Sequence, residues 1–163
     1  AAVDAGIELK VLNAVEAAND AQKHVLGNKV KAHFGDDLKG KHFALWGLAF
    51  KANTDDMREA TSIEVIKDLL AAGATVTAYD PVAMTEARHH FPSEPRLSYA
   101  ENQSAALEMA DALLIVTEWK EFRSPDFDSM KQKLNSPLVF DGRNLFEPAE
   151  MRRLGFAYFG IGR

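Results

Sequence analysis

The sequence predicts an α/β fold: a parallel sheet with helices on both faces, preceded by a long N-terminal helix. Three observations predict it. From His42 onward, short apolar or β-branched runs alternate with helical patterns through short connections, which implies parallel strands joined by right-handed crossovers. Ala112-Leu113-Leu114-Ile115-Val116 is the most apolar run in the chain, as a strand buried on both faces of such a sheet must be. Residues 4 to about 33 contain no proline and set Ile7, Val11, Val15 and Ala18 at helical spacing, with Leu12 and Val25 widening the stripe.

Taken in order, the N-terminal helix comes first. Unbroken, it would reach on the order of 40 Å at about 1.5 Å per residue, longer than a single α/β domain needs, and Gly27-Asn28 is the place that offers a break. Residues 42–47 form an apolar strand ended by Gly47. Thr61-Ser62-Ile63-Glu64 reads as a capping box opening a helix over 62–72, stopped by Gly73. Thr75 to Tyr79 is β-branched and aromatic, a second strand. Asp80-Pro81 reads as N-cap and first-turn proline of a helix through about His90. Residues 96–99 make a short edge strand, 104–109 a short helix and 112–116 the central strand. A helix around 126–134, a strand over 138–140 and a last strand over 156–159 close a Rossmann-like arrangement.

Composition removes several function classes. The 163 residues are 47% hydrophobic, enough for one domain with a proper core. Lys+Arg 19 against Asp+Glu 24 leaves a net charge of −5 with no basic run, which argues against nucleic acid as a partner. No stretch approaches the ~20 apolar residues of a membrane span, and no basic-then-apolar leader opens the chain, so a soluble, cytoplasmic protein is expected. There is no cysteine, hence no disulfide framework, and the five histidines fall in no metal-ligand spacing, so no metal is expected.

The connection from Leu48 to Ala60 is the informative loop. Strand-to-helix connections usually take about 2–6 residues, and a longer one is normally built for binding or is disordered. Apolar Leu48, Ala49 and Phe50 argue against disorder, and open α/β sheets bind ligands beyond the carboxyl ends of their strands. Lys51 suits a phosphate, a ribose oxygen or a base carbonyl, or else pairs with Asp55 or Asp56. Arg58 offers a planar fork for phosphate oxygens, or else a salt bridge that stabilises the loop. Arg143, following the strand at 138–141, points to the same rim, or else lies solvated beside Glu147. Asp80 is explained by capping alone, and Trp119 packs on the sheet rather than stacking on a base.

Gly-Leu-Ala-Phe-Lys at 47–51 followed by Asn-Thr-Asp-Asp-Met-Arg-Glu at 53–59 resembles the signature of the nucleotide-sugar (UDP-glucose/GDP-mannose) dehydrogenases, in the UDP-binding domain at their C-terminal end. Thr117-Glu118-Trp119 with Glu121-Phe122, and Asp141 to Phe146 with Tyr158, Ile161, Gly162 and Arg163, resemble later motifs of that family in the same order. Ala14 to Asn19 with Gln22-Lys23 resembles part of its central helix. Trp46 and Ala52 depart from the pattern.

The resemblance implies residues 1–34 as part of a central dimerisation helix and 35–163 as a UDP-sugar-binding domain. Phe50, Lys51 and Arg143 match positions that contact the sugar nucleotide, and Arg58 matches an arginine that reaches NAD across the interdomain cleft. The activity implied is oxidation of UDP-glucose to UDP-glucuronate with two hydride transfers to NAD, through a cysteine thioester. This chain has no cysteine and no Gly-x-Gly-x-x-Gly fingerprint, so it is expected to be part of a longer enzyme, with no catalytic residue and no activity of its own. NAD would be held mainly by a separate N-terminal domain, and the assembly would be a homodimer through the N-terminal helix. A GDP-mannose or UDP-N-acetylhexosamine dehydrogenase, and a stand-alone nucleotide-binding or dimerisation module, are the alternatives.

Overall fold

A computed structural model describes residues 2–163, with side chains from residue 6 onward. Six strands form one parallel sheet: β1 (His42–Trp46), β2 (Thr75–Tyr79), β3 (Leu97–Tyr99), β4 (Ala112–Ile115), β5 (Leu138–Asp141) and β6 (Ala157–Phe159). Their spatial order is β3-β2-β1-β4-β5-β6, so the chain reverses its direction of winding between β1 and β4. Crevices at such a switch point are where open α/β sheets take ligands. β4 sits beside β1 at the centre, with Leu45 opposite Leu114 and Trp46 opposite Ile115. All four of its residues are buried, as its apolar run requires.

Alternation along the strands builds two cores. Phe43, Leu45, Leu114 and Phe140 face one side, where α2 (Val25–Phe34) and α3 (Thr61–Ala71) bring Leu26, Val30, Val65, Ile66 and Leu69. Ala44, Trp46, Leu113, Ile115 and Val139 face the other, against Leu107, Phe122, Met130 and Met151. The elements supplying that second layer are α5 (Gln103–Ala106), α6 (Phe127–Lys133) and α7 (Pro148–Arg153), with a 3-10 turn at Lys120–Phe122. α4 (Met84–His90) returns the chain from β2 to the β3 edge. Each large side chain fully buried in these layers contributes about 1.5–3 kcal/mol.

Four expectations are corrected. The N-terminal helix is not continuous: α1 (Ala2–Lys23) and α2 are separated by a turn at His24, and Gly27 lies inside α2. Gly27 is a packing residue, because a Cβ there would stand 3.1 Å from Asp68 Oδ2 on α3. The turn is held instead by His24 Nδ1, 2.7 Å from Asp68 Oδ2, and the hydrogen bond and charge of that carboxylate raise the imidazole above its usual range. The capping box at 61–64 does not form. Ala60 is the N-cap with no side-chain cap, and the Ser62 hydroxyl, fully buried, donates to Leu48 O at 2.5 Å. Asp80 does not cap α4, whose N-cap is Ala83; it accepts from the Val82 and Ala83 amides in the turn before the helix. Finally, α7 was not anticipated. Six residues are too few for a period to show, although Pro148 at its start and Gly155 after its end are ordinary helix boundaries.

Gly47 ends β1 with φ of 101°, a conformation that costs other residues about 1–3 kcal/mol. A Cβ there would lie 2.5 Å from Thr117 Cβ and 2.6 Å from the Thr117 amide nitrogen. Gly47→Ala is therefore expected to destabilise the fold by about 3 kcal/mol or more, since strain and overlap add. A urea midpoint equal to that of the parent would show that β1 and β4 do not meet as described.

Candidate functional site

The β1–α3 connection is ordered from within. Leu48, Ala49, Met57 and Ala60 are buried, which fixes both ends of the loop to the first core. Thr117 Oγ1 donates to Ala49 O at 2.8 Å, and the Phe50 amide donates to Asp56 O at 2.8 Å, folding the loop back on itself. Asn53 and Glu59 adopt φ of 67° and 59°, so one bend falls between Lys51 and Arg58 and the other directly after Arg58. Asparagine tolerates that conformation, whereas glutamate does not favour it. Glu59 is held there by Lys23 Nζ at 2.7 Å.

Two buried aspartates at strand ends position the loops of the crevice. Asp80, after β2, receives the Leu48 and Ala49 amides on Oδ2 at 2.8 and 3.0 Å, together with Trp119 Nε1 at 3.1 Å. Its Oδ1 takes the Val82 and Ala83 amides, both at 2.9 Å. Asp141, ending β5, takes the Arg143 amide on Oδ1. Its Oδ2 takes the amides of Leu145 and Phe146 and the Tyr158 hydroxyl, the last at 2.6 Å. Burial first, and then the bond to Asp141, push the Tyr158 phenol well above its ordinary range, so it stays a donor. Trp119 packs in the second core as expected, and its indole bond to Asp80 is an addition that the sequence did not disclose.

The predicted site residues separate. Phe50, 52% exposed, opens into a cavity of about 640 Å³ between the loop and α1, whose walls include Gln22, Lys23, Glu59 and Thr61. Arg143 lines an adjoining cavity of about 120 Å³ with Gln22, Leu26, Thr61, Val116 and Ile161. Lys51 and Arg58 line neither. Lys51 is exposed and makes no ion pair among the described residues. The expected alternative partner Asp56 is taken by Arg58, whose Nη2 lies 2.8 Å from its Oδ2. That bond holds the Asp56 carboxyl down to about 2. Arg143 pairs with Glu118 rather than Glu147: its Nη2 is 2.9 Å from Glu118 Oε2 but off the hydrogen-bond axis, so that buried oxygen has no aligned donor. Adjacent β4 and β5 bring these residues together, and Thr117-Glu118-Trp119 at the carboxyl end of β4 was the available signal.

Among the described residues no group of three or more His, Asp or Glu is arranged to hold a metal ion, and no helix is long and apolar enough to cross a membrane. Residues 44–148 match the UDP-glucose/GDP-mannose dehydrogenase family, UDP binding domain. The chain belongs to this family. UDP-glucose 6-dehydrogenase of Pseudomonas aeruginosa is 46% identical over 161 residues, which cover 97% of this chain and 36% of that protein. The Rhizobium meliloti enzyme of the same name is 42% identical over 162 residues, 99% of this chain and 36% of the relative. A UDP-glucose dehydrogenase from the hyperthermophilic archaeon Pyrobaculum islandicum superposes with a TM-score of 0.78 at 30% identity, covering 96% of this chain and 33% of that one. The chain thus spans about a third of the length of the relatives it matches. It is the family's UDP-binding domain, and the two aspartate-held loops carry residues that line the two cavities.

If the aspartates hold the crevice, their loss and the loss of one donor should differ in scale. Asp80→Ala leaves buried donors of the loop and of Trp119 without an acceptor, at about 1–3 kcal/mol each, and should cost at least ~3 kcal/mol or prevent folding. Tyr158→Phe removes one donor while three amides still satisfy Asp141, and should cost about 1 kcal/mol. Urea unfolding followed by tryptophan fluorescence compares the two. Equal losses would contradict the role given to Asp80.

Proposed function

We propose that the chain holds UDP-glucose within an NAD-dependent UDP-glucose 6-dehydrogenase, a longer cytoplasmic polypeptide that oxidises the hexose primary alcohol to a carboxylate with two hydride transfers to NAD. The observation that carries this reading is the cleft at the carboxyl ends of β1, β4 and β5. The Phe50 ring opens on one of its two adjoining cavities and the Arg143 guanidinium on the other, in a family whose matching domain is a UDP binding domain. Phe50 offers an exposed aromatic face, Lys51 an ammonium with no ion pair among the described residues, and Arg143 a fork for two oxygens at once. Gripping the part of the substrate that does not react directs binding energy into orienting the part that does. Residues 1–34 serve as the helical arm and 35–163 as the sugar-nucleotide domain.

The chain's own first crossover does not suit NAD. In dinucleotide folds a carboxylate after the second strand reaches the ribose; here Asp80 is 0% exposed and its two oxygens already accept five donors. This supports a reading in which NAD is held by a separate N-terminal domain. Arg58, with 89% of its side chain exposed, meets the NAD from across the cleft in this reading. The chain by itself reduces no NAD.

Calorimetric titration of the chain with UDP-glucose tests the assignment. Lys51→Ala and Arg143→Ala should each weaken binding about 10- to 100-fold, as expected for lost hydrogen bonds to charged groups. Arg58→Ala should bind UDP-glucose as the parent does, and should raise the KM for NAD in the polypeptide that carries the NAD domain. Melting should be unchanged in all three, because the residues are exposed. Parental affinity in both the Lys51 and Arg143 variants would sink the assignment.

The arm also supports a homodimer. Ile7, Val11, Leu12 and Val15 are each more than half exposed on α1, an apolar stripe of the kind that marks an interface. Sedimentation should give the mass of two chains for the parent and of one for Val11→Glu. A parent that sediments as a single chain would refute dimerisation through this helix.

A further inference from the structure

The two cavities of the crevice share two wall residues, Gln22 on the last turn of α1 and Thr61 on the first turn of α3. Phe50 opens only on the larger cavity and Arg143 only on the smaller. A ligand that touches both runs along the wall that Gln22 and Thr61 share. Their positions are not left to chance. Lys23 Nζ meets Glu59 Oε2 at 2.7 Å and His24 Nδ1 meets Asp68 Oδ2 at 2.7 Å, so two successive residues tie the end of α1 to the loop and to α3.

The chemistry of this waist is neutral. A carboxamide and a hydroxyl each donate and accept, and among the described residues neither side chain makes a hydrogen bond with another protein group. The one cation nearest to Gln22 in sequence, Lys23, is already paired with Glu59. Around them the smaller cavity presents apolar Val25, Leu26, Val116 and Ile161. Neutral donors and acceptors above an apolar surface suit a sugar ring, which has hydroxyl edges and C–H faces. A phosphate would call for a cation at the waist itself; the cation of the smaller cavity is Arg143, and the larger cavity adds the carboxylates of Glu16, Asp20 and Glu59, which repel a phosphate. We propose that Gln22 and Thr61 form a subsite for sugar hydroxyls, so that α1 supplies a wall of the binding site as well as an arm. This rests on the sugar-nucleotide reading given above.

Two sugars carry that chemistry in UDP-glucose, the ribose and the hexose, and UDP carries only the first. The experiment is calorimetric titration of the chain with UDP and with UDP-glucose, using the parent, Gln22→Ala, Thr61→Val, Thr61→Ser and Arg143→Ala. Gln22→Ala and Thr61→Val should each weaken UDP-glucose about 2- to 10-fold, the loss of one neutral hydrogen bond, while melting is unchanged. Thr61→Ser keeps the hydroxyl and should bind as the parent does, which a role confined to packing would not produce. Equal loss for UDP assigns the subsite to ribose; loss restricted to UDP-glucose assigns it to the hexose. Parental affinity of Gln22→Ala and Thr61→Val for both ligands, or a Thr61→Ser variant as weak as Thr61→Val, overturns the subsite. If Arg143→Ala loses affinity in that same series, the wider reading stands without the subsite. A parent that binds neither ligand removes both.

Discussion

The arrangement depends most on the buried carboxylate of Asp80. It lies at the end of β2 with no solvent contact, and binds three separate pieces of chain: the start of the β1–α3 loop, the turn before α4, and the indole of Trp119 after β4. A charge so placed is tolerable only when its oxygens are saturated with donors. The donors are drawn from three connections at the carboxyl edge of the sheet, so satisfying the charge and shaping the crevice are the same event. The carboxylate that a dinucleotide fold would turn outward to a ribose is turned inward here, and the loop it organises carries Phe50 and Lys51 instead.

Asp141 repeats the arrangement on the other side of the switch point. It gathers the amides after β5 and the Tyr158 hydroxyl from β6, and so presents Arg143 at the rim. The rim is therefore built on rigid strand ends, while the groups that would meet a ligand stand free of the core. Arg143 touches Glu118 off axis, and among the described residues Lys51 has no charged partner. A loop held in place by backbone bonds presents such groups to a ligand already positioned, and the misaligned Arg143–Glu118 pair is the one internal contact that a ligand on Arg143 would compete with.

The α1–α2 turn links the arm to that rim. Gly27 lets α2 approach α3 closely, while Lys23 and His24 make their bonds to the loop and to α3. Gln22 is carried into the crevice by the same turn. The arm thus carries an exposed apolar stripe at one end and a crevice residue at the other.

Periodicity, apolar runs and turn residues determined the strands, the parallel sheet and the position of the long loop, because these patterns are local and each strand's burial is written in its own residues. The run at 112–116 marked the centre of the sheet, and the ordered motifs around Phe50, Lys51, Arg58 and Arg143 marked the family. What the tertiary structure alone decided are meetings between segments far apart in the chain. Thr61 fell inside α3 with Ala60 at the N-cap, while Ser62 found Leu48 O; Asp80 took up donors from three connections; Arg143 met Glu118 because β4 and β5 are neighbours; and Gln22 and Thr61 came to share a wall because α1 ends on the loop. No local pattern encodes such contacts, since each partner's residue type is ordinary and only the packing of the elements sets the distance between them.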